Sequence, residues 1–189
     1  QKIRILARNQ QMLRVDREEV RPLGAAEESA LLKALRAAPW EALVLSDYGK
    51  GVLSAPVIQA AIAEARRRGV PSVADPKHRD LGRYRGASVV TPNRAEAEAA
   101  AGAPLADREA LATLGESVRR GAGLQMLLIT LGGDGMFLLA ENRAPLHLPT
   151  AARQVFDVTG AGDTVVAMMA AGLAVSLAPE VCVRLANCA

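Results

Sequence analysis

Asp157-Val158-Thr159-Gly160-Ala161-Gly162-Asp163 sets an acid on each side of a Gly-Ala-Gly turn, and a run of small and apolar residues follows at once, Thr164 to Ala174. Glycines at such a turn let successive backbone N–H groups converge on one point. A helix that starts there adds its unpaired first-turn amides and the positive end of its dipole, and together these make an anion site. Asp163 falls in the first turn, where the dipole favours a carboxylate that can accept a proton from a hydroxyl. Phosphoryl transfer fits this arrangement: amides hold the moving group and the acid orients the attacking oxygen. An ordinary tight turn followed by a helix-start acid uses the same residues, so the stretch alone reads only as an anion beside an acid.

Other polar residues stand where apolar runs end. Asn93-Arg94-Ala95-Glu96 follows Thr91-Pro92 and has the spacing of a capping box, with Asn at the N-cap and Glu at N3. Lys77, in Val73-Ala74-Asp75-Pro76-Lys77, is placed for its ammonium to reach a phosphate, or simply to be solvated. Asp47, in Leu45-Ser46-Asp47-Tyr48-Gly49-Lys50, could make a polar contact to substrate or nucleotide. Thr130-Leu131-Gly132-Gly133-Asp134-Gly135 reads as a glycine turn between two strands.

The elements that must carry these residues alternate. Strands are predicted over 2–6, 11–16, 42–45, 70–74, 87–90, 124–130, 136–139 and 146–148. Helices are predicted over 27–38, 55–68, 93–101, 107–120, 161–175 and 179–189. Short apolar strands between amphipathic helices indicate an α/β chain with a mostly parallel sheet covered on both faces. Ligands of such sheets bind beyond the carboxyl ends of the strands. Asp47, Asp75, Asn93 and Gly132 all fall there. The chain opens almost at once in a strand and stops within a helical pattern, so it is expected to be one domain over 1–189, incomplete at both ends.

Composition narrows the function classes. Half of the 189 residues are hydrophobic, only 3% are aromatic, and the net charge is +3. The densest cationic cluster, Arg66-Arg67-Arg68, ends a helical pattern, where it complements the dipole, so no nucleic-acid partner is expected. No apolar run is long enough to span a membrane. Cys182 and Cys188 have no metal-site spacing and read as reduced thiols of a cytoplasmic protein. His78 and His147 have no metal partners at useful spacing, and Met168-Met169 read as core. The P-loop and the G-x-G-x-x-G dinucleotide turn are both absent.

D-V-T-G-A-G-D with its small-residue helix resembles the signature of the ribokinase (PfkB-type) sugar kinases, and the Asn93–Glu96 segment is similar to their N-x-x-E motif. Four longer stretches, R-N-Q-Q-M-L-R-V-D-R-E, L-S-D-Y-G-K-G-V-L, the segment from Asp75 to Glu98 and the segment from Ala144 to Val165, resemble the D-glycero-D-manno-heptose 7-phosphate kinases. These also occur as the kinase half of bifunctional kinase/adenylyltransferases. The resemblance runs over nearly the whole chain. It implies a three-layer α-β-α, Rossmann-like ribokinase fold and phosphorylation of heptose 7-phosphate at O1 by ATP with Mg²⁺, for lipopolysaccharide core synthesis. It implies Asp163 as the base and Gly160, Ala161 and Gly162 as the anion hole. Glu96 would join the Mg²⁺ network, with Asn93, Arg94, Ala95 and Lys77 nearby. Thr130, Gly132 and Gly135 would lie beside the nucleotide and Asn187 beside the adenine. Asp157 and Thr159 would hold a monovalent cation such as K⁺. Arg8, Asn9, Gln10 and Asp47 would lie near the sugar or a lid. It also implies a homodimer. The family's early sugar-binding strands, much of its lid and its closing helix and strand have no counterpart in these residues, and an H-x-G-H nucleotidyltransferase motif is absent.

Overall fold

The computed structural model describes residues 2–7, 10–150 and 160–188, with the backbone alone for Gln10 and Gln11. A hairpin opens it: β1 (Lys2–Ala7) pairs antiparallel with β2 (Gln10–Asp16) as a separate two-stranded sheet. The body follows as α1 (Ala25–Ala37), β3 (Leu43–Ser46), α2 (Ala55–Arg68), β4 (Ser72–Asp75), β5 (Val89–Val90), α3 (Arg94–Ala101), α4 (Arg108–Ala122), β6 (Met126–Thr130), β7 (Met136–Ala140), β8 (Leu146–Leu148), α5 (Ala161–Ala174) and α6 (Pro179–Cys188). The six strands β3 to β8 lie side by side in chain order. The first four are parallel, and β7 and β8 are antiparallel.

Alternate side chains of the strands feed two cores. Leu45, Ala74, Val90, Leu127, Ile129 and Phe137 face α2, α3 and α4, with α1 stacked outside α2. Val73, Val89, Leu128, Met136 and Leu138 face α5 and α6, where Met169 and Val183 are fully buried. Strands covered on both faces need no polar alternation, which is why they read as continuous apolar runs. A fully buried side chain of this size contributes about 1.5–3 kcal/mol relative to exposure.

The expected elements form, with two systematic shifts. β4 and β6 start two residues later than their apolar runs suggest. Val70 N–H donates to Ala65 O across the left-handed cap Gly69, and Leu124 N–H donates to Arg119 O across Gly123. In each case the first apolar residue closes the preceding helix as a Schellman cap and does not open the strand. A 3-10 turn absent from the sequence reading, Leu81–Tyr84, is capped by Asp80, whose carboxylate accepts the Gly82 N–H at 3.0 Å. It drives Tyr84 into the core.

The arginine cluster is engaged locally. Arg67 and Arg68 pair with the buried Glu64. Arg68 also donates to the Arg36 and Ala38 carbonyls at the end of α1 and stacks on Trp40, 4.2 Å from the ring centre. Cys182 is buried, Cys188 is exposed and both are free thiols. Among the described residues, no cluster of His, Cys, Asp or Glu is arranged to hold a metal ion, and no helix is long and apolar enough to cross a membrane.

Candidate active site

The carboxyl ends of the parallel strands form one edge. Ser46 lies beside Asp75 in the register of β3 and β4, and an isolated parallel bridge sets Asn93 beside Thr130. Each loop leaving that edge carries a polar residue picked out from the sequence.

Asn93 caps α3. The Glu96 N–H donates to Asn93 Oδ1 at 2.9 Å, and the Asn93 N–H donates back to Glu96 Oε2 at 3.0 Å. The box leaves Glu96 Oε1 pointing outward, where Lys77 Nζ donates to it at 3.0 Å. The carboxylate raises the Lys77 ammonium above its usual range, first through that hydrogen bond and then through its charge. A capping acid and a loop lysine thus become one cation–carboxylate pair at the strand ends.

Asp75 completes the group. Its side chain follows the Val73 face of β4, toward α5. Burial, and then the charge of Glu96, push its carboxyl up to about 6; Lys77 opposes this, and Asp163 and Asp47 add smaller effects. Asp163, Asp47, Glu96 and Lys77 therefore all lie close enough to Asp75 for their charges to act on it. The sequence showed Asp75 as a strand-end acid without a role; what singles it out is partial burial among three other acids and one lysine, a property of the fold.

Gly160 has φ +84° and is the N-cap of α5. Its left-handed backbone directs the chain into the helix, and Ala161, Gly162 and Asp163 follow, all solvent-exposed. The first intrahelical bond inward is Thr164 N–H to Gly160 O at 2.9 Å. The amides of residues 161–163 thus precede the helical ladder, next to the Asp163 carboxylate. α5 packs against β3 and β4 through its apolar side, which fixes where this terminus points.

A second group forms around the glycine turn. Arg94 Nη2 donates to Asp134 Oδ2 at 2.7 Å and Arg94 Nη1 to Leu105 O at 2.8 Å, so its guanidinium ties α3 to the turn. His147 Nε2 lies 3.0 Å from Asp134 O. Asn187 Nδ2 donates to Pro149 O at 2.8 Å, linking α6 to the segment after β8. Gly132 and Gly133 are exposed and Gly135 is buried. A groove of about 380 Å³ opens here, lined by Arg94, Asp107, Leu131, Asp134, His147 and Pro149. Ala95 is exposed on the first turn of α3, and Thr130 holds the strand end through its N–H to Pro92 O at 3.0 Å.

Asp47 is turned inward. Only 4% exposed, it accepts the Gly49 N–H on Oδ1 at 2.8 Å and the Tyr84 hydroxyl on Oδ2 at 2.7 Å, with His78 Nε2 3.7 Å away. Both oxygens already have protein partners. Arg8, Asn9, Asp157 and Thr159 lie outside the described residues, as does the Gln10 side chain.

A match to the model of the pfkB family of carbohydrate kinases covers residues 3–189. The chain belongs to that family. Among curated relatives, bifunctional protein HldE of Trichlorobacter lovleyi is 45% identical over 190 residues, taking in 100% of this chain and 39% of that protein. Bifunctional protein HldE of Rhodospirillum rubrum is 46% identical, over 100% of this chain and 38% of that protein. This pfkB chain thus spans well under half the length of these relatives. Among solved structures, phosphofructokinase-2 from Escherichia coli in complex with potassium superposes with a TM-score of 0.76 at 18% identity, over 88% of this chain and 55% of that one. Arabidopsis thaliana ribokinase complexed with ribose and ATP gives 0.70 at 23% identity, over 84% and 50%. These likenesses establish the three-layer ribokinase-like fold, and the family match places the chain among carbohydrate kinases.

Proposed function

We propose that this chain supplies the kinase chemistry of an enzyme that moves the γ-phosphoryl group of ATP to O1 of D-glycero-D-manno-heptose 7-phosphate. The products would be the 1,7-bisphosphate and ADP, on the route to ADP-heptose and the lipopolysaccharide core in the cytoplasm. The carrying observation is the exposed first turn of α5, where Asp163 stands among helix-start amides that precede the helical ladder, on the side of the sheet that bears Asp75. In this reading Asp163 takes the proton from the sugar hydroxyl as its oxygen attacks phosphorus. The amides of residues 160–162 take up the charge that develops on the phosphoryl oxygens. The heptose assignment is supported by 45% identity to proteins named HldE. Residues 1–189 are read as one ribokinase-like domain that is part of a longer one.

Among the described residues no three-ligand cluster is present, so a divalent cation here would take most of its ligands from phosphate and water. Asp75 and Glu96 place two carboxyls near one lysine; the upward push on Asp75 comes first from burial and second from the charge of Glu96, and Mg²⁺ would offset only that second part. Held there by Asp75 and Glu96, Mg²⁺ would supply neutralisation of phosphate charge. Lys77 adds a cation on the same side. The groove beside Gly132, Gly133 and Gly135 is of a size for part of a nucleotide, and Asn187 closes one end of that group. The Asp157–Thr159 segment is proposed for K⁺, by analogy with a relative solved in complex with potassium. Arg8, Asn9, Gln10 and Asp47 are proposed to serve the sugar side, Asp47 through the loop it organises.

Steady-state kinetics on the complete natural protein with heptose 7-phosphate, ribose and fructose 6-phosphate as acceptors test both parts. Heptose 7-phosphate is expected to be preferred, and Asp163→Asn to lower kcat by about 10²–10⁴-fold. A variant retaining more than about a tenth of wild-type kcat removes Asp163 as the base. A preference for another acceptor removes the heptose assignment while leaving the kinase in place.

A further inference from the structure

Tyr84 is fully buried, yet its hydroxyl is used. It comes from the 3-10 turn on the α2 and α4 side and donates to Asp47 Oδ2 at 2.7 Å. The backbone N–H of Lys77 faces the same hydroxyl oxygen. Asp47 in turn accepts from Gly49 N–H, and its own N–H donates to Asp75 O at 3.0 Å. Gly49 sits against the Lys77 side chain: a Cβ built on it would lie 4.0 Å from Lys77 Cβ. One phenol thus clasps the loop after β3 to the loop after β4. The second loop carries Lys77, whose ammonium reaches Glu96.

The arrangement is costlier than core packing requires. A phenylalanine would fill the same volume without a polar atom, and a buried carboxylate is expensive unless its oxygens are satisfied. The desolvated phenol is held strongly in its neutral, donating form by burial and by Asp47. A donor held in that state favours the loop arrangement in which Asp47 accepts from it.

We propose that Tyr84, acting through Asp47 and the backbone of Lys77, is a positioning residue for phosphoryl transfer that holds the Lys77–Glu96 pair in register with the nucleotide phosphates. It touches no substrate; it works by limiting where Lys77 can be. The proposal rests on the reading of Lys77 as a phosphate-side cation.

The test is a double-mutant cycle on the complete natural protein, with Tyr84→Phe, Lys77→Met and the pair, reading KM and kcat for ATP and for the sugar phosphate beside a thermal melt. Tyr84→Phe is expected to raise the ATP KM about tenfold, and by a larger factor than the sugar KM. In the Lys77→Met background it should cause no further change, because its route of action is gone. A folded Tyr84→Phe with unchanged ATP KM overturns the proposal, as does a loss that persists in full without Lys77. Lys77→Met with wild-type kinetics instead overturns the reading of Lys77 itself. If Tyr84→Phe does not fold, Asp47→Asn probes the clasp from its other side and must show the same dependence on Lys77. Failure of both to fold makes the pair plain core structure and ends the proposal.

Discussion

Asp75 shows how the fold gives a residue chemistry that its sequence position does not. Partial burial and the neighbouring Glu96 raise its carboxyl to about 6. The native state therefore prefers the protonated acid. That contribution to stability is fully present below the ordinary aspartate range and is lost as pH rises through about 6. Asp75→Asn cannot ionise and should escape the loss. Denaturant unfolding of both proteins without nucleotide or Mg²⁺ is expected to show the Asn variant gaining about 1 kcal/mol on wild type between pH 4 and pH 7, a figure reduced for solvent screening. An equal gap at both pH values would mean that the carboxyl is not displaced. The same variant should lose kinase activity if Asp75 shares the divalent cation with Glu96, so stability and activity should move in opposite directions at one position.

At the level of elements, two of the three glycines of the turn after β6, Gly132 and Gly135, separate conformation from space. Gly132 has φ +60° and nothing within 4 Å of a built Cβ. Gly135 has φ +88°, and its Cβ would fall 2.0 Å from Leu148 O and 2.6 Å from Thr150 N. Gly132→Ala should cost only the left-handed backbone penalty, about 1 kcal/mol. Gly135→Ala must also push the chain after β8 away, and is expected to cost about 3 kcal/mol or more. Because Asn187 is bonded to Pro149 in that displaced segment, Gly135→Ala should also weaken nucleotide binding, whereas Gly132→Ala should be mild in thermal melts. Comparable melting losses for the two would show that the segment after β8 can yield. Caps and strand starts carry the same lesson. Val70 and Leu124 read as strand residues by apolarity alone, but Gly69 and Gly123 recruit them into helix caps.

For the whole molecule, the open feature is the first hairpin. Ile3 stands opposite Val15 and Ile5 opposite Leu13, and these side chains are between 38% and 53% exposed. A lone two-stranded sheet is marginal in water, and a bare apolar face on one calls for a cover. We propose that the cover is a second copy of the chain, a homodimer with the two hairpins packed face to face. The paired change Ile5→Lys and Leu13→Lys is expected to give monomers by light scattering while the body keeps its melting temperature. A wild-type protein that is itself monomeric at micromolar concentration would remove the dimer.

The sequence by itself determined the alternation of elements, the glycine caps, the Asn93–Glu96 box and the helix that begins at Gly160. Each depends on contacts within a few residues, where propensity and spacing act directly. It also placed the polar residues at strand ends, because a parallel sheet sends every such loop to one edge. The 3-10 turn after Asp80 and the inward role of Asp47 were not legible, since both follow from what Tyr84 meets across 37 residues of chain. Nor was the partnership of Lys77 with Glu96, or the raised carboxyl of Asp75. Charges act on one another through space and burial, and only the packed sheet decides which acids share a lysine.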